Sequence, residues 1–190
     1  MRRLLKIHNP VVLGFFVLLC NNYHRSSGDI KTESNCDHLK AGQQGYIQLT
    51  NSHEPGNPLI IYGKIINGKT RKPVSDAALF VYQTDSSGIY NSTGPDENAR
   101  IKGTVNTNAN GCFKIKTILP GDYPGRMNSR HLHYVIRAKG YQEKKSILFF
   151  KGFTTENVNG RGPLTVLDIK KDKTGTWIGS TDLQIESADQ

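Results

Sequence analysis

The chain has 190 residues, a length that fits one domain with a short extension and excludes a multidomain assembly. Charged residues make up 22% of the chain and hydrophobic residues 36%, so it can bury a core and global disorder is not expected. The net charge of +9 invites a nucleic-acid interpretation, whereas three cysteines are too few for a disulfide scaffold.

The N-terminus has the form of an export signal. Basic residues within the first seven positions precede an apolar run at residues 11–19, which is shorter than the roughly 20 residues of a transmembrane helix. Cys20 follows at once, as in bacterial lipoprotein signals, where that cysteine is lipidated, but Leu19 stands where a small residue is usual. The sequence therefore predicts a signal over residues 1–20 and export to the bacterial cell envelope or the exterior. It leaves lipidation and simple cleavage open.

A polar stretch follows the signal. Residues 21–44 lack hydrophobic periodicity and are expected to form a tether to a folded domain at residues 45–190. Loss of the signal, with its three basic residues, would lower the net charge from +9 to +6. Cys36 in the tether could pair with Cys112 in an oxidising compartment, although two cysteines provide no framework that fixes the pairing.

Short apolar segments separated by turns predict strands from about residue 58 onward. The predicted strands are 59–66, 77–84, 101–107, 112–118, 131–138, 145–150, 164–169 and 175–184. The sequence Asn67-Gly68-Lys69 after the first strand predicts a β-hairpin. Because no segment carries a helical apolar stripe and strands recur about every 8–12 residues, the pattern indicates an antiparallel sandwich or barrel.

His131 and His133 are the first side chains that suggest chemistry. A strand has a period of two residues, so both imidazoles lie on one face and Leu132 on the other. Two imidazoles on one face are a common pair of metal ligands. The alternative is a half-exposed strand that carries two histidines by chance, and an isolated His-x-His favours that alternative.

Tyr90 and Tyr123 each follow a glycine-containing turn, which places both near a sheet edge. The usual role of such a tyrosine is packing, with a solvated hydroxyl. As phenolates, the two would be hard anionic oxygen ligands suited to a trivalent cation. Together with two neutral histidines they would leave an Fe³⁺ site with a net charge of about +1, which a hydroxide or a catecholate can balance.

These four residues stand in a longer pattern that resembles the intradiol ring-cleavage dioxygenases, in particular their secreted branch, which consists of the core domain alone. The similar segments, in chain order, are Gly63–Ala77, Phe80–Tyr90, Arg100–Phe113, Thr117–Pro124 and His131-Leu132-His133. The resemblance implies an all-β fold, an antiparallel β-sandwich of prealbumin-like topology. It also implies ferric iron as the cofactor.

The resemblance assigns iron ligation to Tyr90, Tyr123, His131 and His133. It implies that Tyr90 and His131 are equatorial ligands and that Tyr123 and His133 are axial. It further implies that Tyr123 leaves the metal when a catechol chelates it and accepts a substrate proton. A small aromatic diol and O₂ would be the substrates, and a muconate-type diacid the product.

Two positions depart from the family pattern. The family usually has an arginine three residues before the first histidine, where this chain has Asn128. Arg126, which follows Tyr-Pro-Gly as in the secreted relatives, is then the expected catalytic arginine. Arg130 would point to the opposite face of a strand from His131. Ile147 stands where a family glutamine is expected. Neither departure changes an expected metal ligand, but both change positions that the resemblance links to turnover.

A second interpretation comes from a non-enzymatic class. Small prealbumin-like and carboxypeptidase-regulatory-like modules of the cell envelope share the Pro-Val turn, the Pro120–Tyr123 segment and a closing Gly140-Tyr141. Such a module explains Tyr123 but not the other three predicted ligands.

Nucleic acid is not an expected partner despite the positive charge. Lysines alternate with apolar residues on several strands, export is predicted, and no aromatic platform motif is present. Membrane attachment would depend on a lipid at Cys20, and the sequence leaves the oligomeric state open.

Overall fold

A computed structural model describes residues 36–154 and 165–188. The strands are β1 (Tyr46–Gln48), β2 (Pro58–Asn67), β3 (Ala78–Gln83), β4 (Ile101–Asn106), β5 (Cys112–Ile118), β6 (Ser129–Arg137), β7 (Lys144–Thr154), β8 (Thr165–Leu167), β9 (Ile169–Lys171), β10 (Trp177–Ser180) and β11 (Leu183–Ile185). A 3₁₀ turn covers Asp96–Asn98. Within the described ranges, no helix has the length and apolar character needed to cross a membrane. The predicted signal, Cys20 and residues 21–35 of the predicted tether lie outside these ranges.

The strands form two sheets, which confirms the all-β sandwich. One sheet has the order β1-β5-β2-β10-β9, with β11 also paired to β2, and the other has the order β4-β3-β6-β7-β8. The pairs β2–β5, β3–β4, β3–β6, β6–β7 and β9–β10 are antiparallel. The pairs β1–β5, β2–β10, β2–β11 and β7–β8 are parallel, which the sequence did not predict. Side-chain alternation has the same period in both pairings, so it carries no information on strand direction.

The turn at residues 67–69 forms, but the hairpin predicted there is confined to a short local pairing. Beyond the turn, Ile66 bridges to Pro73. Val74 and Ala77 are then buried in the core, and the chain passes from β2 in one sheet to β3 in the other. A glycine-containing turn specifies a local reversal and not the sheet that the next strand joins.

The core lies between the two sheets, and β5 shows how the sequence builds it. Phe113 and Ile115 are buried, whereas Lys116 is exposed and Lys114 is half-buried, as the alternation predicts. Each such apolar side chain contributes roughly 1.5–3 kcal/mol when fully buried. The core includes further buried side chains from both sheets, among them Leu59, Ile61, Leu79, Ile136 and Phe150.

A disulfide joins Cys36 to Cys112, two residues separated by 76 positions. Both cysteines are buried, and Cys112 is the first residue of β5. The pairing that the sequence left open therefore ties the chain from residue 36 onward to the sandwich.

Candidate metal centre

The four predicted ligands meet on the outer face of the β4-β3-β6-β7-β8 sheet. His131 and His133 lie on β6, and Leu132 between them belongs to the core. Tyr90 lies on the loop after β3, and Tyr123 on the loop after β5. One strand therefore spaces the two imidazoles, and two loops bring the phenols to them.

The donor atoms of these side chains converge. The Tyr90 and Tyr123 hydroxyls are 2.7 Å apart, and the Nε2 atoms of His131 and His133 are 2.9 Å apart. His131 Nε2 is 3.1 Å from the Tyr123 hydroxyl and 3.5 Å from the Tyr90 hydroxyl. Two ligands about 2.1 Å from one ion are roughly 3 Å apart when their bonds meet at right angles. The four atoms thus have the spacing of one coordination sphere.

The donor set fits ferric iron. Two phenol oxygens that can ionise supply hard anionic ligands, and two imidazole nitrogens complete a mixed oxygen and nitrogen site. Among the described residues, no group of three or more His, Cys, Asp and Glu side chains could hold a metal. A metal site at this place therefore requires the tyrosines.

Asp85 builds the turn that presents Tyr90. Its Oδ1 accepts hydrogen bonds from the backbone N–H groups of Ser87 at 2.9 Å and Ile89 at 3.1 Å. A side chain that binds backbone donors two and four residues ahead stabilises a tight turn. After the turn, the Arg100 N–H donates to the Tyr90 carbonyl at 2.9 Å, which fixes the backbone of this predicted ligand.

The two tyrosine loops are in direct backbone contact. Gly88 has a φ of 83°, and a Cβ atom at this position would lie 1.8 Å from the Asp122 carbonyl oxygen. A Cβ atom at Gly121 would lie 2.5 Å from the Gly88 nitrogen, and the Gly121 N–H donates to the Asp85 carbonyl at 2.8 Å. Only glycine permits this approach, which brings the two phenols within hydrogen-bonding distance.

A buried amide fixes the strands from which both loops leave. Gln83, fully buried at the end of β3, donates from Nε2 to the Ile118 carbonyl at 2.9 Å. Its Oε1 accepts a hydrogen bond from the Thr117 hydroxyl at 3.1 Å. Because Ile118 ends β5, these bonds join the two sheets where the loops begin. Because both polar groups of this amide are hydrogen-bonded, the burial of Gln83 avoids the desolvation penalty of an unpaired amide.

Neighbouring groups orient each imidazole. His131 Nδ1 lies 2.5 Å from the Ser129 carbonyl, which can only accept, so Nδ1 carries the proton and Nε2 keeps its lone pair for the site. His133 stacks on Tyr82, with ring centroids 4.6 Å apart and planes 3° apart. Tyr82 is opposite His133 in the β3–β6 register. The sequence pattern did not single out Tyr82, because the contact depends on the pairing of two strands.

Burial and the neighbouring phenol keep Tyr90 protonated when no cation is present. Burial raises the pKa of Tyr90 well above its ordinary value, and the hydrogen bond to Tyr123 raises it further. Burial, with smaller effects of the charges of Glu97 and Asp96, raises the pKa of Tyr82 to about 12. Metal binding through the Tyr90 oxygen must therefore release a proton.

The protonation of His133 makes the stability of the metal-free protein depend on pH. Burial, and then the adjacent His131 ring, lower the pKa of His133 from 6.5 to about 4. The unfolded chain binds a proton here below about pH 6.5, whereas the folded chain does not until about pH 4. The stabilising contribution is thus fully present above pH 6.5 and is lost as the pH falls toward 4.

We expect His133→Gln to lose less stability than the wild type between pH 6.5 and 4, because the variant lacks this titrating group. Denaturant unfolding of both metal-free proteins at pH 7, 5.5 and 4.5 measures the difference. Parallel losses of unfolding free energy in the two proteins would contradict the assignment.

The predicted catalytic arginine lies on an exposed turn after Tyr123. Arg126 is exposed, and its backbone N–H donates to the Tyr123 carbonyl at 2.9 Å. Arg130 instead donates from Nε to Asp122 Oδ2 at 3.1 Å, and its guanidinium lies over the Phe153 ring. The structure thus brings the four predicted ligands together and leaves Arg126 exposed at the surface.

The two departures from the family pattern occupy different environments. Asn128 is exposed and has a φ of 58°, a left-handed conformation that asparagine tolerates better than most residues. Ile147 is opposite His133 in the β6–β7 register. An apolar side chain therefore neighbours this imidazole where the family resemblance would place an amide.

The chain is similar to known dioxygenases. The family model Dioxygenase_C, described as "Dioxygenase", matches residues 34–155. Catechol 1,2-dioxygenase of Acinetobacter baylyi is 26% identical over 119 residues, which are 52% of this chain and 38% of that protein. The 6-chlorohydroxyquinol 1,2-dioxygenase of Cupriavidus pinatubonensis is 26% identical over 144 residues, 67% of this chain and 50% of that protein. The chain thus spans half or less of the length of these curated relatives.

A solved structure is similar over most of both chains. It is the dioxygenase domain of a dioxygenase–carbohydrate-binding protein fusion from Streptomyces sp. SirexAA-E, with a TM-score of 0.63 and 28% identity. The match covers 79% of this chain and 93% of that one. Because the family match spans more than half of the chain and includes all four donor residues, the chain belongs to the intradiol ring-cleavage dioxygenase family.

Proposed function

We propose that the protein is a non-haem Fe(III)-dependent intradiol dioxygenase that uses O₂ to cleave the ring of a catechol-like aromatic to a muconate-type diacid. The observation that carries the proposal is the convergence of two phenol oxygens and two imidazole nitrogens, with their close contacts between 2.7 and 3.5 Å. Family membership and the names of the two curated relatives support the reaction class.

The chain offers a residue for each task of this reaction. Tyr90, Tyr123, His131 and His133 would hold the ferric ion. When bound, the ion would supply Lewis acidity that draws electron density from a coordinated catecholate. The Tyr123 oxygen would accept the substrate proton, and it already forms hydrogen bonds to the Tyr90 hydroxyl and His131 Nε2. Arg126, on the turn after Tyr123, would stabilise negative charge that develops on the substrate.

We also propose that the protein is exported to the cell envelope or the exterior. The signal-like residues 1–20 support this, and so does the Cys36–Cys112 disulfide, because such bonds persist in oxidising compartments. Attachment to a membrane would require lipidation of Cys20. A mature charge of +6 would favour approach of an anionic aromatic.

The decisive experiment is a comparison of the wild type with Tyr90→Phe after loading with Fe³⁺. We expect the wild type to show a broad visible band from charge transfer between tyrosinate and iron, and to take up O₂ when catechol is added. Tyr90→Phe should lower iron affinity at least about 100-fold, above the loss from a residue that only supports a ligand. On iron that remains bound, the band should weaken and shift, because only the Tyr123 phenolate is left. Tyr46→Phe is the control, because the Tyr46 hydroxyl is exposed and contacts Gln48.

Each outcome assigns a function. A colourless wild type that takes up no iron would contradict the proposal and favour the non-catalytic prealbumin-like module. If iron binds and catechols shift the spectrum without O₂ uptake, the protein binds catechols without turnover. Asn128 and Ile147 are the residues to restore in that case.

A further inference from the structure

We propose that Ser129 and Asp122 are positioning residues that fix Tyr123 and His131 relative to each other. The proposal rests on the proposed function for the identity of the metal, but the arrangement of the two ligands is a property of the chain alone. Neither residue belongs to the four donors, and neither was singled out by the sequence.

Ser129 contacts both ligands at once. Its hydroxyl oxygen accepts a hydrogen bond from the Tyr123 N–H at 2.8 Å, and its carbonyl accepts one from His131 Nδ1 at 2.5 Å. The hydroxyl also donates to the Arg126 carbonyl at 3.1 Å, so its lone pair is directed toward Tyr123. One residue therefore sets the backbone of a phenol ligand and the ring plane of an imidazole ligand.

Asp122 holds Ser129 in place. Its Oδ1 accepts a hydrogen bond from the Ser129 N–H at 2.7 Å, while its Oδ2 accepts one from Arg130 Nε at 3.1 Å. Both ends of this ion pair are partly buried, with about 30% of each side chain exposed. Hydrogen bonds to a carboxylate are stronger than neutral ones, so the loop is closed by its strongest bonds next to Ser129.

The backbone around Ser129 is irregular, so these side-chain bonds matter more for its conformation than they would in a regular strand. Asn128 is left-handed, and the β6–β7 register shifts between Ser129 and His131. The ladder is therefore irregular where the Ser129 carbonyl turns toward the imidazole. Ser129 is still paired with Thr154 in the ladder, and the side-chain bonds add a constraint where the register shifts. A group that orients a metal-binding histidine typically affects metal affinity about 10–100-fold.

The test compares Ser129→Ala, which removes the hydroxyl, with Ser129→Thr, which keeps it. Thr174→Ala is the matched control, because it removes a turn hydroxyl that bonds to Asp172 and Thr176 outside this site. In the metal-free proteins, imidazole ¹⁵N chemical shifts report which nitrogen of His131 is protonated. We expect Nδ1 protonation in the wild type, Ser129→Thr and Thr174→Ala, and a mixture of tautomers in Ser129→Ala. Wild-type shifts in Ser129→Ala would overturn the proposal whether or not iron binds.

Iron loading provides the second measurement. Ser129→Ala should bind Fe³⁺ about 10–100-fold more weakly in competition with a chelator, and its visible band should shift, while Ser129→Thr restores both. Equal affinity and equal spectra in the wild type and Ser129→Ala would also overturn the proposal. If the wild type itself takes up no iron, the proposed function fails, and the ¹⁵N shifts alone decide the role of Ser129.

Discussion

Gly88→Ala is expected to destroy the metal centre without touching any of its donor atoms. The added methyl group would lie 1.8 Å from the Asp122 carbonyl oxygen and 2.6 Å from its carbon. The neighbouring atoms are backbone, so the strain must separate the two tyrosine loops. We expect a loss of roughly 2–4 kcal/mol in unfolding free energy and at least a ~100-fold loss in iron affinity.

Gly175→Ala separates this clash from the cost of a left-handed alanine. Gly175 has a φ of 86°, close to the 83° of Gly88, but a Cβ atom there would meet nothing within 4 Å. This control should lose only about 1–2 kcal/mol in unfolding free energy and should bind iron as the wild type does. Thermal unfolding and chelator competition measure both quantities. If the two variants bind iron equally well, the close approach of the loops is not what assembles the centre.

Removal of the disulfide is expected to cost stability and to spare the metal centre. Cys36→Ala combined with Cys112→Ala removes a link between residues 76 positions apart. The chain entropy of such a loop predicts a loss of about 4 kcal/mol in unfolding free energy. For a domain of this size, the unfolding temperature should fall by on the order of 10 °C. The bond lies at the start of β5, in the other sheet from the histidines. Iron binding per folded molecule should therefore be unchanged.

The reduced wild type is the control for the double substitution, because it lacks the covalent link but keeps both cysteine side chains. Calorimetry of the oxidised wild type, the reduced wild type and the double variant measures the effect. A double variant as stable as the oxidised wild type would show that the covalent link adds nothing to folding. Lost iron binding in a folded double variant would instead link residues 36–44 to the centre.

The sequence predicted those parts of the molecule that depend on local periodicity. The two-residue spacing of His131 and His133 places both rings on one face, and Leu132 accordingly lies in the core. The predicted strand at residues 112–118 matches β5 residue for residue. Both results need only the alternation of side chains along a strand.

Long-range contacts could not be predicted in the same way. Nothing near Gly88 in the sequence indicates that Asp122 lies against it, and Ser129 looks like an ordinary loop serine. The stacking of Tyr82 on His133 depends on the β3–β6 register, which no single segment encodes. From the sequence, the two glycines and the serine could be interpreted only as turn residues. The contacts of the glycines come from segments more than 30 positions away, and those of the serine depend on the shape of its own loop.

The centre is divided between a strand and two loops, and this division has a consequence for local opening. His131 and His133 belong to a strand paired on both sides, whereas Tyr90 and Tyr123 depend on loops that meet at two glycines. Segments with fewer buried apolar contacts open at lower free energy than core strands. Amide hydrogens near the tyrosines should therefore exchange with solvent sooner than those of β6. Metal held by all four residues would tie these two loops to a strand that is better protected from exchange.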